Sequence, residues 1–159
     1  MRTVRIDLAA VPLYHGGVRG LRPGSLILPP SRTGAASTAD YGNGACRRDR
    51  VYATIDLDAA RFYAAMYVGA KPGGRIVKGL GSVYEVLPLD GALEHDEDCN
   101  TPGYSFAFAA GRIVRVVERN VRFPEGVTPE NVADLLLAAG GMDPGALADL
   151  GKRTSAAGR

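Results

Sequence analysis

Three short stretches of this 159-residue chain carry side chains that could do chemistry. Residues 13–17 read Leu-Tyr-His-Gly-Gly and set His15, one of two histidines, against two residues bare of side chains. A neutral imidazole offers one donor and one acceptor, which suits ligand hydroxyls. Gly16 and Gly17 would let such a ligand approach the backbone closely. The plainer role for His15 is a strand-end histidine whose ring is satisfied by a neighbouring carbonyl. Residues 51–55, Val-Tyr-Ala-Thr-Ile, put Tyr52 at the start of a rigid strand. A strand tyrosine ordinarily packs in the core or across to its neighbours, and here its ring also offers a face for stacking a flat group. In the third stretch Glu94, Asp96, Glu97 and Asp98 crowd together. Such a run is ordinarily a solvated loop, and it lacks the central glycine and closing glutamate of a calcium loop. A single carboxylate just after a strand can instead stabilise a developing cation, as in glycosidic cleavage.

Other chemistries find no support. The GxSxG, GxxxxGK[ST] and HExxH patterns are absent. The glycine-rich stretch 69–82 is spaced for neither nucleotide loop and reads as a helix-to-strand connection. No serine stands beside a histidine and an aspartate in a defensible order. Cys46 and Cys99 are too few for a disulfide framework, and with His15 and His95 they show no ligand-pair spacing, so no metal site is expected.

The elements that must position these groups follow from periodicity and punctuation. Apolar residues make up 46% and charged residues 23%, enough to build one buried core. A net charge of +2 gives no argument for nucleic acid or an anionic membrane. Arginine supplies 16 of the 19 basic residues, which reads as compositional background. Asp7 and Pro12 interrupt any apolar leader near the amino terminus, and no segment has spanning length. A cytoplasmic protein is expected.

Residues 4–10 read as a first strand or a lead-in, and 11–17 as a strand running into a loop with His15 at its mouth. A turn follows at Pro23-Gly24, then a short apolar run 25–28 stopped by Pro29-Pro30. Residues 31–50 show no period and read as a long irregular loop. The strand 51–55 passes straight into a helix capped by Asp56, with Asp58 at the positive end of its dipole. Leu57, Ala60, Ala64 and Tyr67 share one face, flanked by Phe62 and Tyr63. Residues 81–89 form a strand, 90–103 an acidic loop, and 112–123 a long alternating strand or strand pair, half buried at most. Thr128 and Pro129 open a helix that Gly140-Gly141 stops. Residues 142–152 repeat that pattern weakly, and 151–159 form a polar, basic tail expected to be disordered. Strands around one central helix, then a helical tail, give an α+β class.

Taken in order, YHGG, VYATIDLDAA and GSVYEVLPLDGALEHD resemble the rifamycin-inactivating, NAD-dependent ADP-ribosyltransferases of bacteria. The resemblance runs from Leu13 to Val117. It includes LRPGSLILP, similar to the family's LxPGdxL, and VYATIDLDAA, similar to its VYFTaTLDAA. It implies a split β-sheet around an NAD cleft: a catalytic domain over 1–125, followed by a helical extension over 126–150 that the family pattern lacks. It also implies that His15 contacts the adenosine ribose beside Gly16 and Gly17, that Tyr52 packs on the nicotinamide side, and that a carboxylate serves catalysis. LEHD stands where the family has FEDD, which makes Asp96 the first choice, with Asp98 and Glu94 as alternatives. The implied reaction moves ADP-ribose from NAD to a hydroxyl of a small-molecule acceptor of rifamycin type, a route to antibiotic resistance. Arg47, Arg48 and the basic tail would suit a toxin-like enzyme acting on a protein, nucleic acid or water. A non-catalytic binding module would instead leave His15 and Tyr52 in the core and the acidic loop merely solvated.

Overall fold

The computed structural model describes residues 3–4, 7, 10–35, 47–70, 76–78, 80–97, 99, 101, 103–123, 125–128, 131–132, 134, 148–149 and 151–153. Ten strands and two helices lie along them: β1 (Thr3–Val4), β2 (Leu13–Gly17), β3 (Leu26–Ile27), α1 (Pro30–Thr33), β4 (Val51–Thr54), α2 (Leu57–Ala65), β5 (Val68–Ala70), β6 (Ile76–Lys78), β7 (Gly81–Pro88), β8 (Leu93–His95), β9 (Ser105–Phe108) and β10 (Gly111–Val121). This is the expected sheet-rich α+β class.

Eight strands form one antiparallel sheet in the order β1-β8-β9-β4-β2-β7-β10-β3, and β5 and β6 pair as a separate hairpin. The sheet is not continuous in strength. On one side β2 pairs with β7 over five residues, Leu13 to Gly17. On the other, β4 pairs with β9 over four, Val51 to Thr54. Between these halves β2 and β4 meet at a single register pair, Tyr14 opposite Thr54. The two halves are joined there and lack a ladder beyond it.

Helix α2 starts where its signals predict but ends at Ala65, so Tyr67 lies beyond it and Val68–Ala70 is strand β5. Asp56 has extended backbone, and its carboxylate accepts from the N–H groups of Asp58 and Ala59, satisfying two orphan donors of the first turn. The alanines at positions 60 and 64 bring the helix backbone against β2 and β7. A Cβ on Gly16 would run into the Ala60 carbonyl, and one on Gly81 into the Ala64 carbonyl. Only glycine permits this spacing. Phe62 is not a flanking residue as its position suggested. It is buried in the cluster between helix and sheet, edge-on to Phe123 at 5.9 Å. A second cluster on the opposite face of the sheet gathers Leu13, Val51, Tyr84, Phe106 and Ile113.

Several local expectations give way. β2 continues through both glycines, so His15 lies within the strand and not at its mouth. The long loop after residue 30 opens with the short helix α1, while 36–46 lie outside the described residues. The acidic loop holds β8, and the unassigned stretch after it holds β9. The connection after α2 contains the β5–β6 hairpin. Strand β10 runs over 11 residues, but it alternates only from Gly111 to Val114; beyond that its register shifts against β7 and the alternation is lost. Of the carboxy-terminal helix opened by Thr128, residues 129–130, 133 and 135–147 lie outside the described residues, although Val132 is buried against the α2 cluster. Gly151–Arg153 is helical, with Gly151 buried against the Asp58 backbone; 154–159 lie outside the described residues.

Candidate functional site

A cavity of about 500 Å³ opens where the two half-sheets part, a size within the range of small-molecule sites. His15, Gly16 and Gly17 line it from β2, Tyr52 from β4, Asp96 from just beyond β8, and Ser105 from β9. The three side chains singled out in the sequence, distant along the chain, thus border one space. Apolar and aromatic side chains make up much of the remaining lining, among them Leu26, Leu28, Pro30, Met66 and Tyr67.

His15 spans the parting of the sheet. Its Nδ1 lies 2.7 Å from the Tyr52 carbonyl oxygen, which only accepts, so Nδ1 carries the proton and donates. In the neutral ring Nε2 then holds the lone pair. Burial keeps the imidazole pKa below its ordinary value of 6.5, against the opposing pull of the Tyr52 carbonyl. The plain role and the chemical role therefore coincide: the carbonyl bond satisfies the ring and fixes its tautomer.

The two glycines have different causes. Gly16 is bare because α2 lies on it, as the Ala60 contact shows. Gly17 is bare because a Cβ there would sit 2.7 Å from His15 Nε2. Close approach of a ligand is thus not what demands glycine at either position, although both line the cavity.

Tyr52 is half-buried, and its hydroxyl accepts from the Arg47 backbone N–H at 2.7 Å. This bond ties the segment before β4 to the strand's own side chain. The nearby charges are organised among themselves. Arg50 meets Glu94 through two nitrogens, each 3.2 Å from a carboxylate oxygen, and Arg47 reaches both Glu94 and Asp49. The hydrogen bonds to Glu94 raise the Arg50 pKa from its ordinary value, while the bond from Arg47 lowers that of Asp49. Glu94 is thereby held in an ion-pair cluster and does not line the cavity.

Asp96 is buried at 8% exposure and is the only acidic side chain among the described residues that line the cavity. Its Oδ2 accepts from the Ser105 hydroxyl at 2.7 Å, and its backbone N–H donates to the Ser105 carbonyl. Asp98, the other alternative, lies outside the described residues. The supporting frame is a polar knot at the start of α2. Tyr104 donates to Asp56 Oδ2 at 2.8 Å, and its carbonyl accepts from the Thr54 hydroxyl and the Ile55 N–H. Burial, then the bond to Asp56, raises the Tyr104 pKa, so the phenol keeps its proton as a donor.

Sequence reasoning missed Ser105 and Tyr104. The segment 104–108 reads Tyr-Ser-Phe-Ala-Phe, and a lone serine and tyrosine among buried apolar residues carry no spacing that marks a polar anchor. Cys99 likewise has a structural setting: its carbonyl lies 2.9 Å from His95 Nε2. Chemically, the arrangement offers a buried fixed carboxylate, an imidazole of fixed tautomer, a phenol ring and apolar walls. No family model matches the chain, and no curated protein is significantly similar to it.

Proposed function

We propose that the protein transfers ADP-ribose from NAD to a hydroxyl of a small apolar acceptor of rifamycin type, releasing nicotinamide. The observation that carries this reading is the buried carboxylate of Asp96, which borders one cavity with His15 and Tyr52. The parting of the sheet at the Tyr14–Thr54 junction supports the split-sheet fold that the resemblance implies.

The residues fit a dinucleotide substrate. Apolar and aromatic walls suit the flat nicotinamide and adenine rings, and Tyr52 supplies an aromatic face among them. His15 offers its Nε2 lone pair to a ribose hydroxyl, because Nδ1–H is already engaged. Cleaving the bond between nicotinamide and ribose builds positive charge on the anomeric carbon. A carboxylate held in place by Ser105 stabilises that charge more than it stabilises the bound substrate. The bonding pair leaves with the pyridinium ring, which becomes neutral nicotinamide, so no general acid is needed. The acceptor oxygen then bonds to the anomeric carbon, and its proton passes to Asp96 and on to water. The apolar lining, Leu26, Leu28 and Pro30 among it, suits a lipophilic acceptor.

Incubating the protein with NAD and rifampicin tests this directly by mass spectrometry. The expected product is the drug carrying one ADP-ribose, with one nicotinamide released for each. Nicotinamide release without a modified drug would redirect the reading to a glycohydrolase or a macromolecular acceptor. No release with any acceptor would overturn it in favour of a binding module.

A further inference from the structure

We infer that Ser105 is the positioning residue for the Asp96 carboxylate, fixing its orientation toward the cavity; this rests on the transferase reading above. Two bonds of the hydroxyl and one of the backbone tie Ser105 to this role. Ser105 Oγ lies 2.7 Å from Asp96 Oδ2, a distance typical of a charge-assisted bond, and 3.3 Å from the Ala53 carbonyl. Its single proton therefore goes to the carboxylate while Asp96 is ionised. The same two residues are joined a second time through the backbone, Asp96 N–H to the Ser105 carbonyl at 3.1 Å. The carboxylate is thus fixed against β9 at both its backbone and its head.

β9 is itself fixed. Ser105 stands opposite Thr54 in the ladder with β4, and its neighbour Tyr104 is tied to Asp56, Thr54 and Ile55. The frame that caps α2 is therefore the frame that holds the carboxylate. When Asp96 takes the acceptor's proton, the hydroxyl can rotate to the Ala53 carbonyl and accept from the new carboxylic acid. Ser105 so serves both protonation states without moving its backbone.

The test compares Ser105→Ala, Ser105→Thr and Asp96→Asn with the wild type. In S105A the turnover number is expected to fall about 10- to 100-fold, the loss of one hydrogen bond to a charged group, while KM for NAD stays within about twofold. S105T keeps the hydroxyl and should recover most of the rate. In the D96N background, S105A should add no further loss, because the two residues act as one unit. A readout free of turnover accompanies these rates: the 13C resonance of the Asp96 side-chain carboxyl should shift in S105A and return toward wild type in S105T. Wild-type turnover and an unmoved carboxyl resonance in S105A would overturn the assignment. A moved resonance in a protein that releases no nicotinamide would sink the transferase reading and leave the Ser105–Asp96 bond established. Should S105A not fold, a wild-type rate in Ser105→Val would overturn the inference equally.

Discussion

A methyl group added at Gly17 would press on His15 Nε2 and lever the imidazole off the Tyr52 carbonyl. The strand backbone there is ordinary, so Gly17→Ala should fold and lose turnover about tenfold or more through lost orientation. A thermal melt beside a nicotinamide-release assay separates the two effects. Gly16→Ala should behave differently. Its new carbon meets the Ala60 backbone carbonyl, which cannot yield, so destabilisation of about 3 kcal/mol is expected, read from denaturant midpoints. His15 also carries a pH signature. Burial lowers its folded pKa below 6.5, so the unfolded chain takes the proton first as pH falls. The stability of the neutral ring is present above pH 6.5 and is lost as pH drops from there toward the folded pKa. Melting temperatures across this window should fall more steeply in the wild type than in His15→Gln. Equal slopes would contradict a buried neutral imidazole. At this scale the sequence was informative for a simple reason: a histidine beside two glycines is rare enough to question. What the sequence could not show is that α2 and the imidazole by themselves require glycine at 16 and 17, since both neighbours are brought there by the fold.

Helix α2 and the strands beneath it carry the site's rigidity. Asp56 caps the helix with one carboxylate oxygen and accepts from Tyr104 with the other. Asp56→Ala should therefore cost more than an ordinary cap, about 2 kcal/mol, with Tyr104 left short of a partner. Chemical denaturation of D56A measures this, and a loss well under that figure would mean the knot around Tyr104 is not cooperative. This helix was legible because its signals are local: a cap, an acidic first turn, alanines three to four apart. Strands β8 and β9 were not. Phe106, Ala107 and Phe108 are all buried, so β9 shows no alternation to read. β8 is three residues long, and its Glu94 and His95 looked like loop chemistry. The polar anchor of Asp96 consequently stayed hidden, although the aspartate itself stood out by its neighbours. The hairpin β5–β6 was concealed for a further reason: its glycines and Pro72 read as a connection.

Across the whole molecule the notable feature is a sheet whose halves share a single register pair while α2 and two separate apolar clusters hold them in place. A division of that kind leaves a crevice in the middle of the sheet, lined from both sides by strand residues on firm scaffold. That geometry explains how positions 15, 52 and 96 meet, and no local pattern could have supplied it. The long-range pairings of β4 with β9 and of β8 with β9 are fixed by the core, not by turns. A crystal structure of Asp96→Asn soaked with NAD would show whether the dinucleotide lies in this crevice, as proposed. The anomeric carbon of the nicotinamide ribose is expected beside residue 96, with a ribose hydroxyl on His15 Nε2 and a ring against Tyr52. NAD bound elsewhere, or a crevice left empty at saturating NAD, would contradict it.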